Sequence, residues 1–249
     1  MEVIAIVNRK GGVGKTATAQ ALGAGLIKKK KKVLYIDLDS QTNLSYGLGA
    51  DISGLTSMEV LTGDATAKEA IQKTEQGDVI PGTEALAGAD AIIDGTGKEY
   101  RLKEAIDGLQ YDYIIIDTPA QLGTLAVNAL TAATGGGVII PVQADIYSLQ
   151  GIGQLNKTIE AVKKYCNKDL YIRGILITRY NARAVISKDM QTNLQEAAEQ
   201  LNTKLYSVPI RECVAIKEAQ ASQQDIFSYA PRSNAAKDYT AFIKEFMKG

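Results

Sequence analysis

The segment Asn8-Arg9-Lys10-Gly11-Gly12-Val13-Gly14-Lys15-Thr16 joins three glycines, two lysines and a hydroxyl between an apolar run and a helical stretch. Such a loop can hold phosphate. Glycines let successive backbone N–H groups curl around an anion, because no Cβ blocks the approach. The helix that follows adds the positive end of its dipole. Lys15 puts a point charge on β- and γ-phosphates, and the Thr16 hydroxyl can ligate Mg²⁺. The expected cradle is Gly11, Gly12, Val13, Gly14, Lys15, Thr16 and Ala17. The match to G-x-x-x-x-G-K-[ST] is loose, since Arg9 stands at the first glycine and Lys10 follows it directly. Phosphate chemistry with Mg²⁺ also needs oxygen acceptors for the metal shell and a group to orient water. Three carboxylates follow apolar runs: Asp37 and Asp39 after the second, and Asp117 after Tyr113-Ile114-Ile115-Ile116. At the carboxyl ends of parallel strands they would share the ligand-binding edge of a sheet.

Placing these groups requires alternating strands and helices. Short β-branched runs predict strands at 2–8, 32–37, 112–117, 137–141, 170–178 and 204–209, with one more near 78–81. Continuous apolar runs suit strands covered on both faces, as in parallel sheets. Helical stretches are expected at 15–28, 123–132, 148–165, 187–201 and 234–247. The fold class is α/β: a mostly parallel twisted sheet with helices on both faces. Residues 1–249 read as one domain, with weak periodicity over 47–108.

Composition narrows the chemistry. The 249 residues carry 28 Lys+Arg and 28 Asp+Glu, so bulk charge alone would not hold a polyanion. There is no His, which removes His bases and His metal ligands. Cys166 and Cys213 are too few for a zinc site or a four-thiolate cluster. The amino end lacks a secretory pattern, and no apolar run is long enough to span a bilayer, so the expected location is cytoplasmic.

The variant KGGVGKT, with its early lysine, resembles the deviant Walker A ATPases of the MinD/ParA superfamily. Asp37-Leu38-Asp39-Ser40-Gln41-Thr42-Asn43 resembles that family's switch I pattern D-x-D-P-Q-G-N, with Ser40 for proline and Thr42 for glycine. Tyr113 to Ala120 resembles its Walker B strand and switch II, with Ala120 where a second proline is usual. GVIIPVQADIYSLQG and the carboxyl-terminal stretch from Tyr229 look like ParA segments too, so the likeness covers most of the chain. The resemblance implies a P-loop NTPase that takes ATP and Mg²⁺. It implies that Lys10 reaches across a homodimer to the partner's nucleotide, much as an arginine finger acts in trans. Lys15 is then the in-chain phosphate lysine, and Asp39 positions water. Thr16, Asp39 and Asp117 form the metal set, with Asp37 in support. Arg179 and Asn181 in ITRYN, and the loop at Pro209, are candidates for base contact.

ParA/Soj-type partition ATPases bind nonspecific double-stranded DNA as ATP dimers and respond to a ParB-like adaptor, which would make this chain nucleoid-associated. DNA affinity of that kind needs cations aimed at phosphates. Arg183, Lys188, Arg211, Lys217 and Arg232 are the candidates. The run Lys28 to Lys32 lies between helix and strand, where it suits the helix carboxyl end. Met1 lies close to the first strand, so no amino-terminal helix-turn-helix is expected. The stripe Tyr239, Phe242, Ile243, Phe246 and Met247 reads as a helix packed on the core rather than a membrane anchor. Two alternatives stay open: a MinD-like membrane or cargo positioning ATPase, and a metabolic enzyme of the same superfamily that activates a small acid.

Overall fold

The computed structural model describes residues 1–181 and 185–248. Its strands are β1 (Glu2–Ile6), β2 (Val33–Asp37), β3 (Gln72–Thr74), β4 (Gly77–Ile80), β5 (Tyr113–Asp117), β6 (Gly135–Gln143) and β7 (Ile172–Thr178). The helices are α1 (Lys15–Lys28), α2 (Asn43–Leu48), α3 (Ser57–Thr62), α4 (Ala67–Ala70), α5 (Ala89–Ile92), α6 (Arg101–Ala105), α7 (Thr124–Ala132), α8 (Ile146–Tyr165), α9 (Val185–Gln200), α10 (Val214–Ala221), α11 (Ile226–Tyr229) and α12 (Asn234–Phe246).

The strands form one sheet in the order β3-β4-β2-β5-β1-β6-β7. Every pairing is parallel except β3 with β4. Successive residues of a strand point to opposite faces, and the core divides accordingly. Val3, Ala5, Ile36, Ile114 and Ile116 pack under Leu102, Leu130, Leu155 and Leu194 of α6 to α9. Ile4, Ile6, Tyr35 and Ile115 pack under Leu22, Leu26, Leu44 and Phe242 of α1, α2 and α12. Both faces are dry, which explains the uninterrupted apolar runs.

Two expectations change. The segment 204–209 is not a full strand. Leu205 bridges Ile175 of β7, and past the end of β7 Arg211 bridges Tyr180. Tyr206 N–H donates to the Ile175 carbonyl, but the next donation to β7 comes four residues on, from Ile210 N–H to the Ile177 carbonyl, while Ser207 N–H turns to Glu245, so 207–209 stand out of the ladder. The antiparallel β3 and the helix α10 were not anticipated: β3 is three residues long and only partly buried, and α10 buries fully only Ala219. Of the stripe, Tyr239, Phe242, Ile243 and Phe246 are buried against the core, whereas Met247 lies past the end of α12 and is exposed. Among the described residues no helix is long and apolar enough to cross a membrane.

Candidate nucleotide site

β1 ends at Ile6 and α1 begins at Lys15, so the glycine loop opens at the carboxyl edge of the sheet beside β5 and β6. Gly12 and Gly14 sit at φ 73° and 83°, the left-handed region that glycine enters without steric cost. Gly14 is the residue before α1, and no side chain caps that helix. Its first N–H groups are therefore available to an anion. The Thr178 hydroxyl anchors the loop from β7, donating to the Val13 carbonyl at 2.6 Å.

Lys15 is 7% exposed. Burial pushes its ammonium below the ordinary value, while Asp117 and Asp39 pull it back up. A buried cation with room beside it suits a polyphosphate. The Thr16 hydroxyl donates to Asp117 Oδ2 at 2.6 Å. Asp117 Oδ1 is buried and lacks a hydrogen-bond partner among the described residues. Burial, and then the Asp37 carboxylate, raise Asp117 well above the usual carboxylate range. That combination of hard oxygens, an orphaned lone pair and excess negative charge fits Mg²⁺, which keeps several waters and takes few protein oxygens.

Asp37 and Asp117 lie side by side in the β2–β5 register. Their roles differ. Asp37 is fully buried, and burial raises it too. It accepts from the Asp39 N–H at 3.0 Å, the Ser45 N–H at 2.9 Å and the Ser45 hydroxyl at 2.7 Å. Asp37 therefore fastens the loop that carries Asp39 to the start of α2. Thr42 in that loop holds φ 53°, a left-handed conformation that a β-branched residue rarely adopts.

A cavity of about 760 Å³ runs from this loop to α10. Its phosphate end is lined by Gly11, Gly12, Gly14, Lys15, Thr16, Ala17 and Asp39. Its far end is lined by Thr178, Arg179, Ile210, Arg211, Glu212 and Cys213, with Ile216, Lys217 and Gln220 of α10 facing Tyr46 of α2. The far wall thus stands one residue from Pro209 and two from Asn181. Arg179, at φ 49°, pairs with Glu212 at 2.9 Å and also reaches the Gly12 carbonyl at 3.4 Å.

Lys10 stands apart from the cavity. It lines a separate shallow depression with Arg9, Gln150, Gly151 and Gln154. Its ammonium is ion-paired with Asp145, the residue that caps α8 by accepting from the Ser148 N–H at 3.1 Å. Within GVIIPVQADIYSLQG the signal for Asp145 is slight: an Asp just before a helical stretch is an amino-cap pattern.

The expected DNA cations scatter. Arg211 is turned onto the cavity wall, with its backbone N–H and its guanidinium bound to Asp238 at 2.6–3.0 Å. Its guanidinium is thus paired with a buried carboxylate while its side chain stays 41% exposed. Lys217 is exposed but lines the same cavity. Arg232 is exposed on the α11–α12 loop. Lys188 falls in α9, but its side chain and all of Arg183 lie outside the described residues.

A glycine loop, a buried lysine and a hydroxyl–carboxylate pair on the carboxyl edge of a parallel sheet define a P-loop nucleotide-binding protein. A family model described as an AAA domain matches residues 1–172. The chain is 40% identical to sporulation initiation inhibitor protein Soj of Bacillus subtilis, over 98% of this chain and 97% of that one. It is 36% identical to chromosome partitioning protein ParA of Myxococcus xanthus, covering 99% and 88%. Among solved structures, cobyrinic acid a,c-diamide synthase from Mycobacterium smegmatis with bound ADP and magnesium superposes with TM-score 0.84 at 34% identity, covering 100% and 94%. The cell division ATPase MinD of Pyrococcus furiosus superposes with TM-score 0.79 at 27% identity, covering 99% and 98%. The chain belongs to the Soj/ParA family of partition ATPases.

Proposed function

We propose that the chain is a DNA-partition ATPase whose ATP-bound form is a homodimer with each Lys10 completing its partner's site. One observation carries this reading. Lys10 belongs to the phosphate loop yet lies outside the cavity that the rest of the loop lines, held by Asp145 of its own chain. That position supports a role for Lys10 at a second chain's nucleotide, with Asp145 holding it until a γ-phosphate competes for it.

The cavity volume falls in the range of cofactor sites. The bound ADP and magnesium of the diamide synthase support ATP and Mg²⁺ as its ligands. The metal would be held by Thr16, with Asp117 acting through water, and would draw charge from the β- and γ-phosphates. Lys15 offsets phosphate charge in a site where burial strengthens the attraction. Asp39 accepts a proton or orients water at the open end of the phosphate site. Lys10 of the second chain stabilises charge at the γ-phosphate only in the paired state. Loss of that phosphate removes its contact, and the dimer weakens.

DNA is the proposed partner of the dimer, a reading supported by likeness to a chromosome partitioning protein, and a ParB-like adaptor would stimulate hydrolysis. Arg183, Lys188 and Arg232 remain the proposed DNA contacts, whereas Arg211 and Lys217 are assigned to the cavity. The protein is then cytoplasmic and nucleoid-associated. The test is DNA binding by Asp39→Ala with ATP and with ADP across a salt series. The ATP form should bind double-stranded DNA regardless of sequence. Arg183→Glu should lower the salt slope by about 0.9. Equal binding with ADP would remove the partition reading. ATP-dependent pelleting with liposomes would point to a membrane-positioning ATPase, and turnover that depends on a small carboxylic acid would point to a metabolic enzyme.

A further inference from the structure

We propose that Gln20 and Gln76 pin the back of the nucleotide cavity and set how long nucleotide stays in it; the inference rests on the nucleotide reading above. Gln20 lies within α1, five residues after Lys15, and is 4% exposed. A buried amide is stable only where its hydrogen bonds are met. Its Nε2 faces three acceptors: the Gly47 carbonyl at 3.1 Å, Gln76 Oε1 at 2.9 Å and the Gln224 carbonyl at 3.4 Å. Gln76, in the turn between β3 and β4, closes the cluster. Its Nε2 donates to the Gly47 carbonyl at 2.6 Å and to the Gln223 carbonyl at 3.0 Å. Gln223 is held at φ 51°, a left-handed conformation.

The elements tied together are walls of the cavity. α1 carries Lys15. α2, which contains Gly47, turns Asn43 and Tyr46 toward the cavity. α10, which ends two residues before Gln223, contributes Ile216 and Gln220. The Tyr46 hydroxyl also lies 3.5 Å from the Ala221 carbonyl, across the same gap. A nucleotide between α2 and α10 leaves as fast as those helices part. Parting them draws Gly47 away from Gln223 and Gln224, so both glutamines lose buried bonds. Gln20 and Gln76 are therefore positioning residues: they touch no phosphate and act through the spacing of α2 and α10.

The experiment follows release of a fluorescent ADP analogue by stopped flow, alongside the thermal midpoint of the nucleotide-free chain. Gln20→Glu keeps the side chain's size but turns a donor into an acceptor facing three oxygens. Release should quicken about tenfold. Gln76→Ala should quicken it about threefold. The double variant should release no faster than Gln20→Glu, because both changes break one cluster. Wild-type release rates in folded variants with lowered midpoints would make the cluster packing only and overturn the proposal. If Gln20→Glu does not fold, Gln76→Ala decides alone. A wild-type chain that binds no ADP analogue would overturn the nucleotide reading itself, a separate outcome.

Discussion

The two ends of the cavity are built differently. The phosphate end comes from one contiguous loop and the carboxylate ends of two adjacent strands, and its key groups are buried: Lys15, Asp37 and Asp117. The far end is assembled from residues after β7, residues 210–213 and α10, and it is held by ion pairs between long side chains. The contrast separates chemistry from adjustment. Where charge must be met at a fixed point, groups are taken out of water and placed by backbone. At the far end, where the base is proposed to sit, the wall is half-exposed and its pieces come from distant segments.

The sharpest way to break this contrast is to remove the phosphate-end cation. Lys15→Ala should weaken ATP affinity by about 100-fold or more, read by calorimetry, because a buried charged contact is lost. Arg211→Ala strikes the far end. It strips the partner from Asp238, which is 4% exposed, and should lower stability by about 1–3 kcal/mol and nucleotide affinity only several-fold. If the two variants lose equal affinity, the division between the ends is false.

Asp117→Asn sharpens the phosphate end through pH. Burial and Asp37 raise the folded-state pKa of Asp117, so ionising it opposes folding. Stability from this group is present below the ordinary carboxylate value and is lost as pH rises through the raised one. The nucleotide-free, metal-free variant should exceed wild type by about 1–2 kcal/mol at pH 8 and lose that advantage near pH 4. The smallest effect is expected from Arg179→Ala. Its pair with Glu212 is about half exposed on both sides, so denaturation midpoints should hardly move.

Legibility in the sequence follows the same division. The P-loop, Asp39 and Asp117 could be read because each is local: the residues that act together lie next to one another or at a strand's end. The sheet could be read because strands dry on both faces leave continuous apolar runs. Asp37 could be found but not understood, since its partner Ser45 lies eight residues on and acts through a loop. Arg211 was legible as a cation, but its direction was set by Asp238 on α12, which no local pattern announces. β3 escaped because three residues, none of them buried, carry no periodicity, and the strand expected at 204–209 failed because 207–209 leave the ladder between Tyr206 and Ile210. Gln20 gave no signal, because a lone amide in an Ala-rich helix names no partners.

Lys10 is proposed to work in a second chain's site. The direct measurement is the solution mass of the protein by size exclusion with light scattering, with a non-hydrolysable ATP analogue or with ADP. The analogue should double the mass of the wild-type chain, Lys10→Ala should stay monomeric while still binding the analogue, and Asp145→Asn should dimerise at lower concentration. A wild-type chain that remains monomeric with the analogue bound, or a Lys10→Ala variant that dimerises as readily as wild type, would contradict the account.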